Sequence, residues 1–253
     1  MQDKHLQQQS PARRRSQLQD FVEIHFRDYN NTSEPSDPTR TSQSLLIYLD
    51  EALTHSSANE HQNHEKLEFL GDAALRLAAS EFIDQAFPEM NVGERSMLRG
   101  YLVSDQFLAS VGADIDILDV VVLGKQACFD ENAYNTFRAE CTEALIGALY
   151  LHHHSTEKIH TFLKNYWNET AIEILKNPKQ YNSKSALQEW SQAQNLGLPD
   201  YHTEEQSKQH GDPRRFHSQV RLGDQLKAKG WGRSRKEAEQ RAAQAALQEL
   251  DEL

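Results

Sequence analysis

Residues 64–87 read "HEKLEFLGDAALRLAASEFIDQAF", and the spacing of their apolar side chains by three and four predicts a long amphipathic helix. Gly71 lies in the middle of this segment, although glycine inside a helix costs about 1 kcal/mol relative to alanine. A glycine at this position indicates the close approach of another helix or a ligand. The face that is expected to enter a core consists of Leu67, Leu70, Ala74 and Leu77.

Carboxylates lie in register on another face of this helix. Glu65, Glu68 and Asp72 occupy positions i, i+3 and i+7. A second predicted helix carries Glu140 and Glu143 at i and i+3, followed by the apolar run "ALIGALYL". These groups repel one another unless a cation lies between them, and oxygen ligands without cysteine or paired histidines favour Mg²⁺ or Mn²⁺. Such ions can activate water and stabilise negative charge on a phosphate.

A simpler interpretation of the two acidic faces stays open. They are solvated helix faces in which Lys66 and Arg76 pair with the carboxylates. The spacing alone does not decide between this interpretation and a metal site. The pair His64-Glu65 also suggests a zinc protease, but that motif needs a histidine at position 68, where this chain has glutamate.

The rest of the chain divides by pattern into an extension and two structured parts. Residues 1–40 are polar and are expected to be disordered apart from a short helix in "LQDFVEIHF" (18–26). Residues 41–176 carry helical patterns, including the segment "ERSMLRGYLVSDQFLASVGADI" (94–115). Residues 182–251 read as a helix, three short strands with a turn at "HGDP", and an alanine-rich helix. The predicted linkers are "NNTSEPSDPTRTS" (30–42) and "NPKQYNS" (177–183).

The predicted fold is therefore an all-α domain followed by a small α+β domain of order α-β-β-β-α. The charge is divided in a similar way. The net charge of the 253 residues is −11, yet residues 182–253 hold eleven basic and eleven acidic side chains and are neutral. Residues 212–241 have nine basic side chains against four acidic ones. An acidic first part and a locally basic second part indicate two modules with different tasks.

The composition excludes several classes of protein. No stretch approaches the roughly 18 consecutive apolar residues of a membrane helix, and residues 1–20 lack the apolar region of a signal peptide. Cys128 and Cys141 are the only cysteines, and without Cys-x-x-Cys spacing they indicate neither a disulfide framework nor a zinc site. We expect a soluble cytoplasmic protein with no membrane partner.

Several motifs occur in an order that resembles a known family. "EKLEFLGDA" (65–73) resembles the signature of ribonuclease III, the endoribonuclease that is specific for double-stranded RNA. The stretches "ALTHSSA" (52–58), "MLRGYLVSD" (97–105) and "TEALIGALYL" (142–151) agree with the same family. "SALQEW" (185–190) and "GRSRKEAEQRAAQAAL" (232–247) resemble the double-stranded-RNA-binding domain that follows the nuclease domain in bacterial members. The resemblance covers about residues 40–250.

The resemblance implies a homodimeric, Mg²⁺-dependent nuclease, with Mn²⁺ as a possible substitute. It implies that Glu68, Asp72, Glu140 and Glu143 bind metal, and that Asp72, Glu143 and the signature's first acidic residue, Glu65, take part in catalysis. The reaction would be hydrolysis of both strands of duplex RNA, leaving 5′-phosphate and 3′-hydroxyl ends. Structured precursors of ribosomal RNA and some messages are the implied substrates. The apolar part of the signature would help to form the dimer.

The second module is implied to bind duplex RNA by its shape, through phosphates and 2′-hydroxyls. Its last helix begins with Ser234 as the predicted N-cap, and Glu237 three residues on completes a capping box. The start of a helix favours phosphate, so Arg235 and Lys236 are candidates for that contact. The other implied RNA-binding residues are Gln188, Arg214, Arg215 and Ser234.

Three positions depart from the family pattern. The family usually has aspartate where this chain has Glu140, an acidic residue near Val92, and asparagine where this chain has Asp105. The longer side chain at 140 bears on metal geometry and therefore on rate or metal preference. The alternative function is a catalytically impaired regulator that binds double-stranded RNA with the same fold.

Overall fold

The computed structural model describes residues 10–26, 42–176, 183–209, 212–223 and 225–251. The chain falls into two compact units, Met1–Ala171 and Ile172–Leu253. The predicted fold class is confirmed: a helical part is followed by a small α-β-β-β-α part. In the described part of the chain, every helix is too short or too polar to cross a bilayer.

Within the described ranges, the helical part contains seven α-helices. They are α1 (Pro11–His25), α2 (Ser42–Ala52), α3 (Glu65–Ala86), α4 (Val92–Leu102), α5 (Asp105–Asp114), α6 (Tyr134–His153) and α7 (Glu157–Lys176). The helix α6 is central, because α2, α3 and α5 all pack against it. The apolar run predicted on α6 is correspondingly buried at Ala144, Leu145, Ile146, Ala148 and Leu149.

The helices α3 and α6 cross where a glycine of one meets a glycine of the other. A Cβ atom on Gly71 would lie 2.0 Å from the carbonyl oxygen of Glu143, and a Cβ atom on Gly147 would lie 2.0 Å from that of Leu67. The two backbones therefore touch, and any larger side chain would push them apart. The close helix approach predicted from Gly71 is confirmed, and it sets the distance between the carboxylates of the two helices.

The apolar face of α3 is only partly buried. Leu67 and Ala74 lie in the core, as predicted, and Leu70 is half-buried. The expectation for Leu77 is wrong, because this side chain is 52% exposed. The buried side of α3 passes beside Leu77 rather than through it, since the buried residues of these turns are Leu75, Ala78, Ala79, Phe82 and Ile83.

The segment 94–115 is two helices rather than one continuous pattern. The first, α4, ends at Leu102, and Ser104 begins the second by accepting a hydrogen bond on its side chain from the Phe107 N–H at 3.2 Å. Serine competes for backbone hydrogen bonds and therefore favours a cap over a helix interior. The apolar spacing continues across the break, which is why periodicity alone does not reveal it.

The first described helix, α1, begins at Pro11 rather than at Leu18. Ser10 caps it, and Arg14 ties it to the helical part through an ion pair with Asp50 at 2.7 Å and a hydrogen bond to the Val120 carbonyl. The predicted disorder of residues 1–9 and most of the predicted linker at 30–42 lie outside the described residues, as does most of the linker at 177–183.

The α+β part consists of α8 (Ser183–Ala193), β1 (Asp200–Glu205), β2 (Phe216–Leu222), β3 (Gln225–Gly232) and α9 (Arg235–Asp251). The strands form an antiparallel sheet in the order β1-β2-β3, and α9 packs against it. A Cβ atom on Gly230 would lie 2.3 Å from the Ala242 nitrogen, so the glycine in β3 allows α9 to approach closely. The core of this part contains Leu187, Val220, Leu222, Ala228, Ala242, Ala243, Ala246 and Leu247.

Candidate active site and nucleic-acid interface

The five predicted site carboxylates line one open depression of about 600 Å³ on the helical part. The helix α3 contributes Glu65, Glu68 and Asp72, and α6 contributes Glu140 and Glu143. Two helical faces that are far apart in sequence are brought together by the glycine crossing described above. Two histidines and an arginine line the same depression: His55, His64 and Arg76.

One side of the cluster pairs Asp72 with Glu143. Burial, together with the negative charges of Asp72, Glu68 and Asp105, raises the pKa of Glu143 to about 8, and a hydrogen bond to Asp72 adds to the effect. Asp72 also accepts a hydrogen bond from Arg76 Nε at 2.7 Å. Near neutral pH, Glu143 therefore holds a proton that keeps the two carboxyl groups from repelling each other.

The other side pairs Glu140 with the two histidines. The Glu140 carboxylate lies 3.4 Å from His55 Nε2 and 3.6 Å from His64 Nε2. Burial would raise the pKa of Glu140, but its hydrogen bonds with these imidazoles and their charges lower the pKa to about 2. Glu140 and Glu143, about one turn apart on α6, thus have pKa values shifted in opposite directions, because Glu140 faces imidazole nitrogens and Glu143 faces carboxylates.

The remaining carboxylates differ in exposure. Glu65 is exposed at the start of α3. Glu68 is half-buried, 3.3 Å from His64 Nε2, and its pKa is raised mainly by burial and further by the charges of Glu140 and Glu65. These positions put Glu68 closest to the middle of the cluster and Glu65 at its rim.

The residues fit a hard divalent cation. Four half-buried carboxylates, Glu68, Asp72, Glu140 and Glu143, supply oxygen ligands of the kind that Mg²⁺ prefers. The pKa of Glu143 is raised first by burial and then by neighbouring negative charges, and a bound cation would favour the ionised form against both. A solvated pair of helix faces would not bury these groups, so the metal interpretation accounts for the arrangement better than the solvated one.

Sequence reasoning missed His55 and Asp105 as neighbours of the cluster. His55 follows α2, where its backbone N–H donates to the Val122 carbonyl at 3.0 Å and a parallel bridge joins Thr54 to Val122. The motif "ALTHSSA" contains this histidine, but linear spacing gives it no link to Glu140. Asp105 opens α5, and its charge reaches Glu143 only because α5 packs on α6.

The predicted RNA-binding residues lie at three places on the α+β part. Gln188 is exposed on α8, and Lys236 is exposed in the first turn of α9. Arg214 and Arg215 lie just before β2. The Arg215 guanidinium pairs with one oxygen of Glu205, at 2.9 Å from Nε and 2.8 Å from Nη2, so this arginine already has an acidic partner.

The start of α9 is capped much as predicted. Ser234 Oγ accepts a hydrogen bond from the Glu237 N–H at 3.2 Å. The Glu237 carboxylate accepts from the Arg233 N–H at 2.8 Å, one residue earlier than in a standard capping box. The Arg235 guanidinium donates a hydrogen bond to the Thr203 carbonyl at 3.0 Å, so this side chain lies against β1. Lys236, the next residue, is exposed.

Comparisons with known proteins agree with this division. Residues 47–170 match the family model described as ribonuclease-III-like, and residues 183–250 match the double-stranded RNA binding motif. Ribonuclease 3 of Prochlorococcus marinus is 51% identical over 205 residues, which are 81% of this chain and 82% of that protein. Ribonuclease 3 2 of Synechocystis sp. is 39% identical over 202 residues, covering 80% of this chain and 83% of that protein. Among solved structures, a nuclease domain of ribonuclease III from Campylobacter jejuni is 25% identical with a TM-score of 0.48, covering 59% of this chain and 97% of that chain.

Proposed function

Because this chain belongs to the ribonuclease III family, we propose that the carboxylate cluster of α3 and α6 is the site at which it cleaves double-stranded RNA. The products are 5′-phosphate and 3′-hydroxyl ends, and the substrates include structured precursors of ribosomal RNA and some messages. The observation that carries the proposal is the convergence of Glu68, Asp72, Glu140 and Glu143 on one open depression. An open surface suits a duplex, whereas small molecules are usually bound in enclosed pockets.

The four carboxylates are proposed to hold Mg²⁺, or Mn²⁺ in its place. When bound, such an ion lowers the pKa of a coordinated water and stabilises negative charge on the phosphate. Glu143 gives up its proton as the cluster takes up a cation, so uptake depends on pH. Arg76 lines the same depression and supplies positive charge that a phosphate oxygen can approach.

The chain is proposed to act as a homodimer. Phe69 is 84% exposed and Leu77 is 52% exposed, although both lie on the helix that carries the catalytic signature. Large apolar side chains exposed on one element are typical of a surface that a partner covers. Two copies joined through this region would present two carboxylate clusters to one duplex.

Glu143→Gln tests the assignment of the site, because glutamine keeps the size of the side chain but cannot ionise to bind a cation. We expect cleavage of a labelled RNA hairpin in Mg²⁺ to fall at least about a hundredfold, or about 2.7 kcal/mol of transition-state stabilisation. Binding of the hairpin in a gel-shift assay should persist, since the α+β part is unchanged. Glu89→Gln is the matched control, because Glu89 is exposed and lies outside the depression.

The same assay separates the enzyme from a binding-only regulator. The wild-type chain should cleave in Mg²⁺ and stop in EDTA. Hairpin binding without cleavage in Mg²⁺ or Mn²⁺ would favour the regulator. Near-normal cleavage by Glu143→Gln would show that the site has been assigned to the wrong residues.

A further inference from the structure

Two stacked imidazoles converge on one carboxylate at the edge of the cluster. The rings of His55 and His64 lie 4.8 Å apart between centroids, with an angle of 17° between their planes. Their Nε2 atoms lie 3.4 Å and 3.6 Å from the same oxygen, Oε2 of Glu140. One ligand atom from each of these three residues lies within 4.8 Å of the others. Glu68 approaches from the other helix, 3.3 Å from His64 Nε2.

These separations are longer than those of ordinary charge-assisted hydrogen bonds and are close to the separations between the ligand atoms of a tetrahedral metal ion. Charge-assisted N–H···O bonds are about 2.7–2.9 Å long, shorter than any of the three contacts. Ligands about 2.0–2.1 Å from a tetrahedral Zn²⁺ are separated by about 3.3 Å along each edge. The observed contacts of 3.3, 3.4 and 3.6 Å are close to that edge length. A small inward movement of the side chains would therefore bring His55, His64 and Glu140 within bonding distance of one cation, and Glu68, which lies outside this group of three, would have to move further.

Ser57 fixes the orientation of the His55 ring through contacts with its Nδ1 atom. His55 Nδ1 lies 2.8 Å from Ser57 Oγ and 3.0 Å from the Ser57 nitrogen. The Ser57 N–H donates to Nδ1 while Nε2 carries the proton. Binding of a cation at Nε2 would move the proton to Nδ1, which would then donate to Ser57 Oγ and displace the Ser57 N–H from its present hydrogen bond. The Gly124 N–H fixes that hydroxyl oxygen at 3.0 Å.

His64 is held by burial instead. It immediately precedes α3, its side chain is only 2% exposed, and its Nε2 is directed at Glu68 and Glu140. Its Nδ1 is buried and has no hydrogen-bond partner among the described residues. A buried imidazole with an unsatisfied nitrogen is costly unless its other nitrogen makes a strong interaction.

We propose that His55, His64 and Glu140, with Glu68 as the fourth ligand, bind a divalent transition-metal cation of the Zn²⁺ class. Mixed imidazole and carboxylate ligands favour such ions, whereas Mg²⁺ prefers oxygen ligands in an octahedron. The site overlaps the four-carboxylate cluster, with which it shares Glu68 and Glu140. Occupation by Zn²⁺ removes these ligands from the Mg²⁺ cluster and inhibits cleavage; this consequence alone rests on the proposed function.

Co²⁺ is the probe, because four-coordinate Co²⁺ absorbs visible light far more strongly than six-coordinate Co²⁺. Titration of Co²⁺ into the full-length wild-type chain should produce this strong absorption. The absorption should saturate at one equivalent of Co²⁺ and should be lost when Zn²⁺ is added. His55→Gln should weaken binding by at least about tenfold. His61→Gln is the matched control, since His61 is exposed in the segment between α2 and α3, and it should bind as the wild type does.

His64→Asn should weaken Co²⁺ binding as well, and its circular dichroism shows whether the buried position tolerates the change. If the buried position does not tolerate the change, His55→Gln still tests the proposal, because His55 is partly exposed. Only weak, six-coordinate absorption by the wild type, or unchanged affinity in His55→Gln, overturns the proposal. Cleavage of the hairpin in Mg²⁺ without added Zn²⁺ is measured separately. Its loss would count against the proposed function and not against this site.

Discussion

At the scale of single residues, Glu81 shows how one carboxylate links two segments of the helical part. Its Oε2 accepts a hydrogen bond from Thr156 Oγ1 at 2.7 Å and lies 3.0 Å from His160 Nε2. These contacts, that of Thr156 first, lower the pKa of Glu81 below its usual value. The ionised form is thus preferred in the folded state.

The sign of the resulting pH dependence follows from linkage. A lowered pKa contributes stability above the unfolded-state value near 4.5, and this contribution is lost as pH falls through the lower, folded-state pKa. Because Glu81 is partly exposed, we expect only about 0.5 kcal/mol at neutral pH. Urea unfolding of wild type and Glu81→Gln should therefore differ above about pH 5 and converge toward pH 3. A difference that grows on acidification would contradict the assignment.

The carboxylates of the site were predictable from sequence, but their protonation was not. Glu140 and Glu143 are both recognisable at i and i+3 on one helix. Burial raises the pKa of both, and the difference between them comes from the groups that they face, such as His55 beside Glu140 and Asp72 beside Glu143. Two of these groups, His55 and Asp105, reach the site only through tertiary packing. Spacing along one helix identifies which groups share a face, and it does not identify what faces them from other elements.

At the scale of elements, the crossing of α3 and α6 depends on two missing side chains. Gly71→Ala would place a Cβ atom 2.0 Å from the Glu143 carbonyl oxygen and 3.1 Å from the Gly147 nitrogen. The helices must separate, so we expect a loss of about 1–3 kcal/mol or more in the free energy of unfolding. Cleavage should also fall, since α6 carries Glu143 away from Asp72.

The control for this prediction is Gly100→Ala in α4. A Cβ atom at Gly100 would meet nothing within 4 Å, so alanine should stabilise the protein by about 0.5–1 kcal/mol through helix propensity. Urea unfolding of both variants provides the measurement. Wild-type stability in Gly71→Ala would mean that the two helices can move apart without cost, and that the crossing does not set the site.

Element boundaries were less predictable than the elements themselves. The start of α3 at Glu65 and the three strands follow the sequence pattern, because periodicity and turn residues both act locally. The break at Ser104 does not follow the sequence pattern, because the apolar spacing continues across it. The start of α1 at Pro11 does not follow it either, because Arg14 stabilises this end of the helix through contacts with residues distant in sequence. Long-range contacts decide such boundaries.

At the scale of the whole molecule, the division of charge implies a division of labour. The net charge of −11 lies entirely before residue 182, whereas residues 182–253 are neutral with a basic stretch. The first module therefore repels RNA at long range, and the second should supply most of the non-specific affinity. Within the second module, exposed Lys236 at the start of α9 is the sharpest candidate for a phosphate contact.

Lys236→Gln tests the proposed phosphate contact at the start of α9. Loss of one phosphate contact should reduce the slope of log affinity against log salt by roughly 0.9, if duplex RNA behaves as B-form DNA does. Lys229→Gln is the matched control, because Lys229 is exposed on β3 in the same module and its loss changes the net charge equally. Equal effects of the two substitutions would indicate that net charge, and not the start of α9, governs binding.

Deletion of residues 182–253 extends the test to the whole module. The shortened chain should bind duplex RNA much more weakly at moderate salt, with a flatter salt dependence, because the phosphate contacts of the second module are gone. It should still cleave at low salt or in Mn²⁺, since the deletion leaves Glu68, Asp72, Glu140 and Glu143 in place. Filter binding and hairpin cleavage across a salt series, for both lengths of chain, provide the measurement. Unchanged affinity in the shortened chain would mean that the acidic module holds the RNA itself, and that the basic stretch of the second module has another task.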